Sequence, residues 1–93
     1  MNTYFIELDE EAEIHLEFHV KAGNKKLLKR IYKLFEELSQ HPETGTGKPH
    51  RLKHRMFGVW SRKIDDKHRM IYTIEKEKVT VFVISLWGHY GDK

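Results

Sequence analysis

The sequence predicts an α+β fold in which helices pack on one face of an antiparallel sheet of four to five strands. Three observations predict it. Leu27, Leu28, Ile31, Leu34, Phe35 and Leu38 recur at helical spacing. Beyond residue 49 the apolar pattern changes to strands. The later segments are joined by very short connections, which implies antiparallel pairing of consecutive strands.

Taken in order, residues 3–8 (Thr-Tyr-Phe-Ile-Glu-Leu) are rich in β-formers and read as a first strand. Residues 9–22 admit two readings. Ala12, Ile14, Leu16, Phe18 and Val20 alternate with polar residues, as a strand would. The same stretch is rich in Glu, begins at Asp9, a good N-cap, and ends at Gly23, a good helix stop. Residues 24–40 form a helix capped by Asn24, with lysines and Glu36 and Glu37 on its outer face, and His41-Pro42 ends it. Glu43 to Pro49 is a Gly-rich loop. Strands follow at Leu52–Met56, Val59–Ile64, His68–Glu75 and Val79–Leu86, the last being the most apolar and β-branched.

With 93 residues the chain forms one domain, 1–93. Its 39% hydrophobic residues suffice for a core, and its 33% charged residues make the surface strongly ionic. Cysteine is absent, which excludes disulfides and thiolate metal sites. The first residues lack the pattern of a signal peptide, and no apolar run reaches membrane-spanning length. The expectation is a soluble, cytoplasmic protein. The net charge of +3 is unevenly spread: residues 43–72 hold eight Lys/Arg against three Asp/Glu. Phe57, Trp60 and Tyr72 lie around that basic segment. Basic and aromatic residues together are the footprint of a polyanion partner.

Two motifs fail on inspection. Gly45-Thr46-Gly47-Lys48 lacks the earlier glycine of a phosphate loop, where Pro42 stands, and Pro49 replaces the Ser or Thr after the lysine. His15 and His19 have the spacing of a metal pair on a helix, but no third ligand can be named, and an exposed polar face is expected there. No metal or cofactor is expected.

The residues left over suit metal-free cleavage of RNA. Such cleavage needs a base for the ribose 2′-OH, a cation for the charge growing on phosphate, and an acid for the leaving 5′-oxygen. Histidine, titrating near pH ~6.5, serves as either acid or base. His50 and Lys53 flank the loop exit, Arg62 and Arg69 lie on successive strands, and His89 and Tyr90 follow the last strand. A sheet can gather these on one face, and Tyr90 offers a ring for base stacking.

Gly47-Lys48-Pro49-x-x-Leu52-Lys53-His54, then Gly58-x-Trp60-Ser61-Arg62-Lys63-Ile64, then His68-Arg69-x-x-Tyr72, then His89-Tyr90 resemble the Txe/YoeB family of toxins in the RelE superfamily. The match runs over about residues 24–90, in order. The resemblance implies a RelE-like fold with two N-terminal helices, and so favours a helix at 9–22. It implies a type II toxin that enters the A site of the 70S ribosome. There it cleaves mRNA by 2′-OH attack, without metal, leaving a 2′,3′-cyclic phosphate. It implies a YefM-like antitoxin, contact with operator DNA only through the antitoxin complex, and a possible homodimer.

By type and position, Arg69 corresponds to the arginine that stabilises the transition state, His89 to the general acid and Tyr90 to the aromatic beside it. Lys48, Lys53, His54, Arg62 and Lys63 correspond to residues that contact RNA. One departure matters: the family's general base is a glutamate, and this chain has His50 there. Neutral imidazole accepts the same proton, so His50 is the expected base. Lys63 stands where a second arginine is common, and would bind phosphate as a point charge. Two alternatives remain: a module that binds antitoxin and nucleic acid without cutting, and a ParE-like gyrase inhibitor.

Overall fold

A computed structural model describes residues 3–52 and 58–88. The elements run β1 (Phe5–Leu8), α1 (Glu10–Ala22), α2 (Lys25–Gln40), β2 (His50–Arg51), β3 (Trp60–Lys63), β4 (Arg69–Glu75) and β5 (Thr80–Ser85). The five strands form one sheet in the order β1-β5-β4-β3-β2, and both helices contribute to a core on one face.

The α+β class is as expected, with one correction to the sheet. β2 to β5 pair antiparallel with their chain neighbours, but β1 pairs parallel with β5, Phe5 opposite Thr80 and Leu8 opposite Val83. Short turns dictate direction only between consecutive strands. β1 meets β5 across nearly the whole chain, where no turn constrains it.

α2 follows its sequence closely. Asn24 Oδ1 accepts the Leu27 N–H at 3.0 Å, satisfying one of the helix's free donors. Leu27, Ile31, Leu34 and Leu38 are buried against the sheet, each stabilising by about 2 kcal/mol. They meet Met70, Tyr72, Val81, Val83 and Leu86.

Residues 10–22 are helical, which settles the two readings. Glu10, Glu11 and Glu13 place negative charge at the positive helix end, and Gly23 closes it at φ 74°. The alternation was misleading. Ile14 and Phe18 are 58% and 55% exposed, and the inward stripe is Ala12, His15, Leu16 and His19 at helical spacing. The exposed polar face expected at His15 and His19 is therefore corrected: His19 is 3% exposed. Among the described residues, no helix is long and apolar enough to cross a membrane.

Candidate functional site

Strand parity sorts the basic residues onto two faces. Arg62 stands opposite Met70, Trp60 opposite Tyr72, and all four belong to the helix side. The alternate residues project from the other side. There Lys63 is cross-strand partner to Arg69, Ser61 to Ile71, and His50 to Ser61. His50 and Arg69 thus share a face two strands apart. Ladder spacing puts their Cα atoms about 12 Å apart, with the buried Ser61 of β3 and Ile71 of β4 between them.

Arg62 is the residue the fold removes from the expected RNA contacts. It is fully buried. Its Nη1 bonds Glu37 Oε1 at 3.1 Å, and its Nη2 donates to the carbonyls of His41 at 3.0 Å and Thr44 at 2.8 Å. Glu37 Oε1 also accepts the Thr46 N–H at 2.9 Å, and Tyr72 Oη donates to Pro42 O at 2.8 Å. These bonds tie the loop after α2 onto the sheet. Burial pushes the Glu37 carboxyl up, but the Thr46 bonds with Arg62 and Lys33 outweigh it and hold the group below its ordinary 4.5. Burial raises the Tyr72 phenol. The signal for this was the alternation that puts Arg62 on the same face as Trp60, which packs against the core.

The tied loop delivers Lys48 and His50. Lys63 N–H donates to Gly47 O at 2.7 Å, docking the loop along β3. Gly47 sits at φ 89°, and a Cβ there would meet Lys63 O at 2.5 Å, so only glycine allows the approach. His50 Nδ1 lies 3.1 Å from Lys48 O. A carbonyl only accepts, so the neutral ring carries its hydrogen on Nδ1 and leaves the Nε2 lone pair free. Lys63 and Lys48 also border an open groove of about 930 Å³, with Lys26, Arg30, Lys33 and Lys67. Asp65 and Asp66 are its acidic members, and Lys63 Nζ lies 3.2 Å from Asp66.

Arg69 is half-buried at the start of β4, and its N–H donates to Gly88 O at 2.9 Å. Gly88 is the residue before His89, so the chain reaches that position from a point bonded to Arg69. Lys53, His54, His89 and Tyr90 themselves lie outside the described residues, as does most of the Leu52–Met56 strand expectation.

Three histidines that sequence reasoning left without a role fix this last segment. Leu86 N–H donates to His15 Nδ1 at 3.1 Å, and Gly88 N–H donates to His68 Nδ1 at 3.0 Å. His19 Nε2 lies 3.0 Å from Leu86 O. Burial lowers the pKa of both His15 and His68, and the other histidines add to it, while Glu11 and Asp65 respectively oppose it. The clue was the placement of His15 and His19 three and seven residues after Ala12, on the inward stripe.

Residues 10–90 match the model of the YoeB-like toxin of bacterial type II toxin–antitoxin systems. The chain is 43% identical over 70 residues to a Toxin YoeB of Synechocystis, a match covering 75% of this chain and 79% of the relative. Its fold superposes on a YoeB/ParE toxin from Agrobacterium tumefaciens with a TM-score of 0.85 at 28% identity, covering 92% and 99% of the two chains. It also superposes on a chain of the heterotetrameric YoeB–YefM toxin–antitoxin complex from Staphylococcus aureus. There the TM-score is 0.79 at 27% identity, covering 94% of this chain and 98% of that one.

Proposed function

The chain belongs to the YoeB-like toxins of bacterial type II toxin–antitoxin systems, and from that premise we propose that it is a ribosome-dependent endoribonuclease that cuts mRNA in the A site. His50 Nε2 takes the proton of a ribose 2′-OH as that oxygen attacks the adjacent phosphorus. The guanidinium of Arg69 stabilises the charge growing on the non-bridging oxygens. As the bond from phosphorus to the 5′-oxygen breaks, His89 protonates the leaving oxygen. The products are a 2′,3′-cyclic phosphate and a 5′-hydroxyl end. No step in this scheme requires a metal.

One observation carries the reading. Strand register sets His50, Lys63 and Arg69 on one face, and the Arg69 N–H is bonded to the residue before His89. The free lone pair on His50 Nε2 supports its role as base in place of glutamate. Lys48, Lys63, Lys53 and His54 bind the flanking phosphates, and Tyr90 stacks on a base. A YefM-like antitoxin binds the toxin and silences it; the likeness to a chain of the staphylococcal YoeB–YefM complex supports an antitoxin as partner.

Ribosomes programmed with a defined mRNA provide the test. Wild-type protein should cut within the A-site codon and leave a cyclic phosphate, and Arg69→Ala should cut roughly 10²–10³-fold more slowly in single turnover. Intact mRNA with the wild-type protein removes the proposal. A second reading, a module that binds antitoxin and nucleic acid without cutting, is favoured only by histidine standing where the family has its glutamate base. It predicts intact mRNA and retained antitoxin binding.

A further inference from the structure

We infer that His15 and His68 are positioning residues that hold the backbone of residues 86–88 beside Arg69 only while both imidazoles are neutral, so that mild acid releases this segment and slows the site. The effect on cleavage rests on the ribonuclease reading; the clamp itself rests on geometry alone.

The argument starts from the chemistry of a backbone amide. An N–H only donates, so the Nδ1 atoms that receive Leu86 N–H and Gly88 N–H must each present a lone pair. Each neutral ring therefore carries its hydrogen on Nε2. A second proton would fall on Nδ1 and set two N–H groups against each other. The bond is then lost and the backbone amide left without that partner. His19 differs. Its Nε2 faces the Leu86 carbonyl, so it donates whether neutral or charged. Protonation therefore disables two of the three holds and spares the third.

The three rings surround Trp87. His19 stacks on the indole with centroids 5.3 Å apart, His68 lies 5.0 Å away and His15 6.0 Å away, while His19 and His68 are 4.9 Å from each other. A charge on His15 opposes a charge on His68, so these two rings do not gain their protons independently. Other groups facing the pair come from each neighbouring element. Glu11 on α1 lies 3.7 Å from His15 Nε2, and Ser85 Oγ at the end of β5 lies 3.4 Å from His15 Nδ1. In the β3–β4 connection, Asp65 favours the charged form of His68 and Lys67 opposes it. Asp65 also accepts the backbone N–H of His68 at 2.7 Å, which fixes the position of that residue. The segment so held leads from Gly88, whose carbonyl is bonded to the Arg69 N–H, to His89. Losing the clamp frees the approach of that position to the phosphate-binding arginine, and near-attack geometry is sensitive to displacements of about 1 Å.

Amide hydrogen exchange on the full-length wild-type protein tests the clamp without any substitution. Protection of the Leu86 and Gly88 amides, corrected for intrinsic exchange, should fall about tenfold or more between about pH 7.5 and about pH 5.5, while core amides of β5 keep theirs. Unchanged protection across the range in which NMR shows both rings gaining charge overturns the inference. The variants His15→Asn and His68→Asn place a non-titrating amide oxygen near Nδ1. The double variant should hold its protection constant with pH, and its single-turnover cleavage should have a shallower acid limb than wild type. An acid limb of unchanged steepness also overturns the inference. Absence of cleavage by the wild type at every pH defeats the ribonuclease reading instead, and leaves the exchange result to judge the clamp.

Discussion

Arg62 and Lys63 are chain neighbours with the same charge and opposite fates. Arg62 faces the helices, is fully buried, and spends its guanidinium on Glu37, His41 and Thr44. Lys63 faces away, borders the groove and stands beside Arg69 in the ladder. The difference teaches that in a sheet a cation's work is set by parity, not by charge or by its place in a basic segment. On one face Arg62 holds the loop; on the other Lys63 stands exposed beside Arg69. Arginine suits the first task because its planar fork satisfies three acceptors at once, as a lysine cannot.

Substitutions on the two faces should separate the two kinds of work. The largest expected effect is on the face that carries His50. His50→Ala should slow single-turnover cleavage on programmed ribosomes by roughly 10²–10⁴-fold without lowering the melting temperature, since the ring is exposed and only β2's edge is touched. An unchanged rate would assign the base elsewhere. On the packed face the order is reversed. Arg62→Ala leaves Glu37 without its guanidinium and two loop carbonyls without donors, and should cost about 3–5 kcal/mol in denaturant unfolding. A loss below about 1 kcal/mol would show that the loop does not depend on the guanidinium.

Gly47→Ala probes where the faces meet. The added methyl would meet Lys63 O, and φ 89° is unfavourable for alanine, so a loss of about 1–3 kcal/mol is expected. The displaced loop carries Lys48 and His50, so cleavage should fall with it.

The acid response gives a smaller effect. The folded-state pKa of Glu37 lies below its ordinary 4.5, so the unfolded chain binds more protons in the window below that value. The stability that Glu37 contributes is present above pH 4.5 and is lost as pH falls through its folded pKa. Urea unfolding as a function of pH should therefore show a shallower acid decline in Glu37→Gln than in wild type. The smallest effect belongs to Lys63→Ala. Stability should move by less than about 0.5 kcal/mol, whereas the salt dependence of RNA binding should lose about one phosphate contact.

Much of this was legible in the sequence, and the exceptions have physical causes. α2 was readable because its apolar stripe, cap and stop agree. β3, β4 and β5 were readable because alternation and short turns are local signals. α1 was ambiguous because Ile14, Phe18 and Val20 are apolar yet exposed, and they imitate a strand's period. The parallel β1–β5 pairing was invisible because it joins distant segments. At the site, the face shared by His50, Lys63 and Arg69 followed from alternation once the register was known. Arg62 was misassigned because its charge outweighed its parity with Trp60. His15, His19 and His68 were missed because a histidine that fixes backbone looks, in sequence, like one that meets solvent.

The parallel contact between residues 5–8 and 80–83 has a consequence for how the molecule comes into being. During synthesis β1 waits without a neighbour until β5 has been made, and β5 is also the strand that joins β1 to β4. A chain interrupted before residue 80 has its first strand, both helices and the sheet's remaining strands, but lacks the strand that joins β1 to β4. The sheet is therefore completed late, and a truncated product leaves β1 without its strand partner.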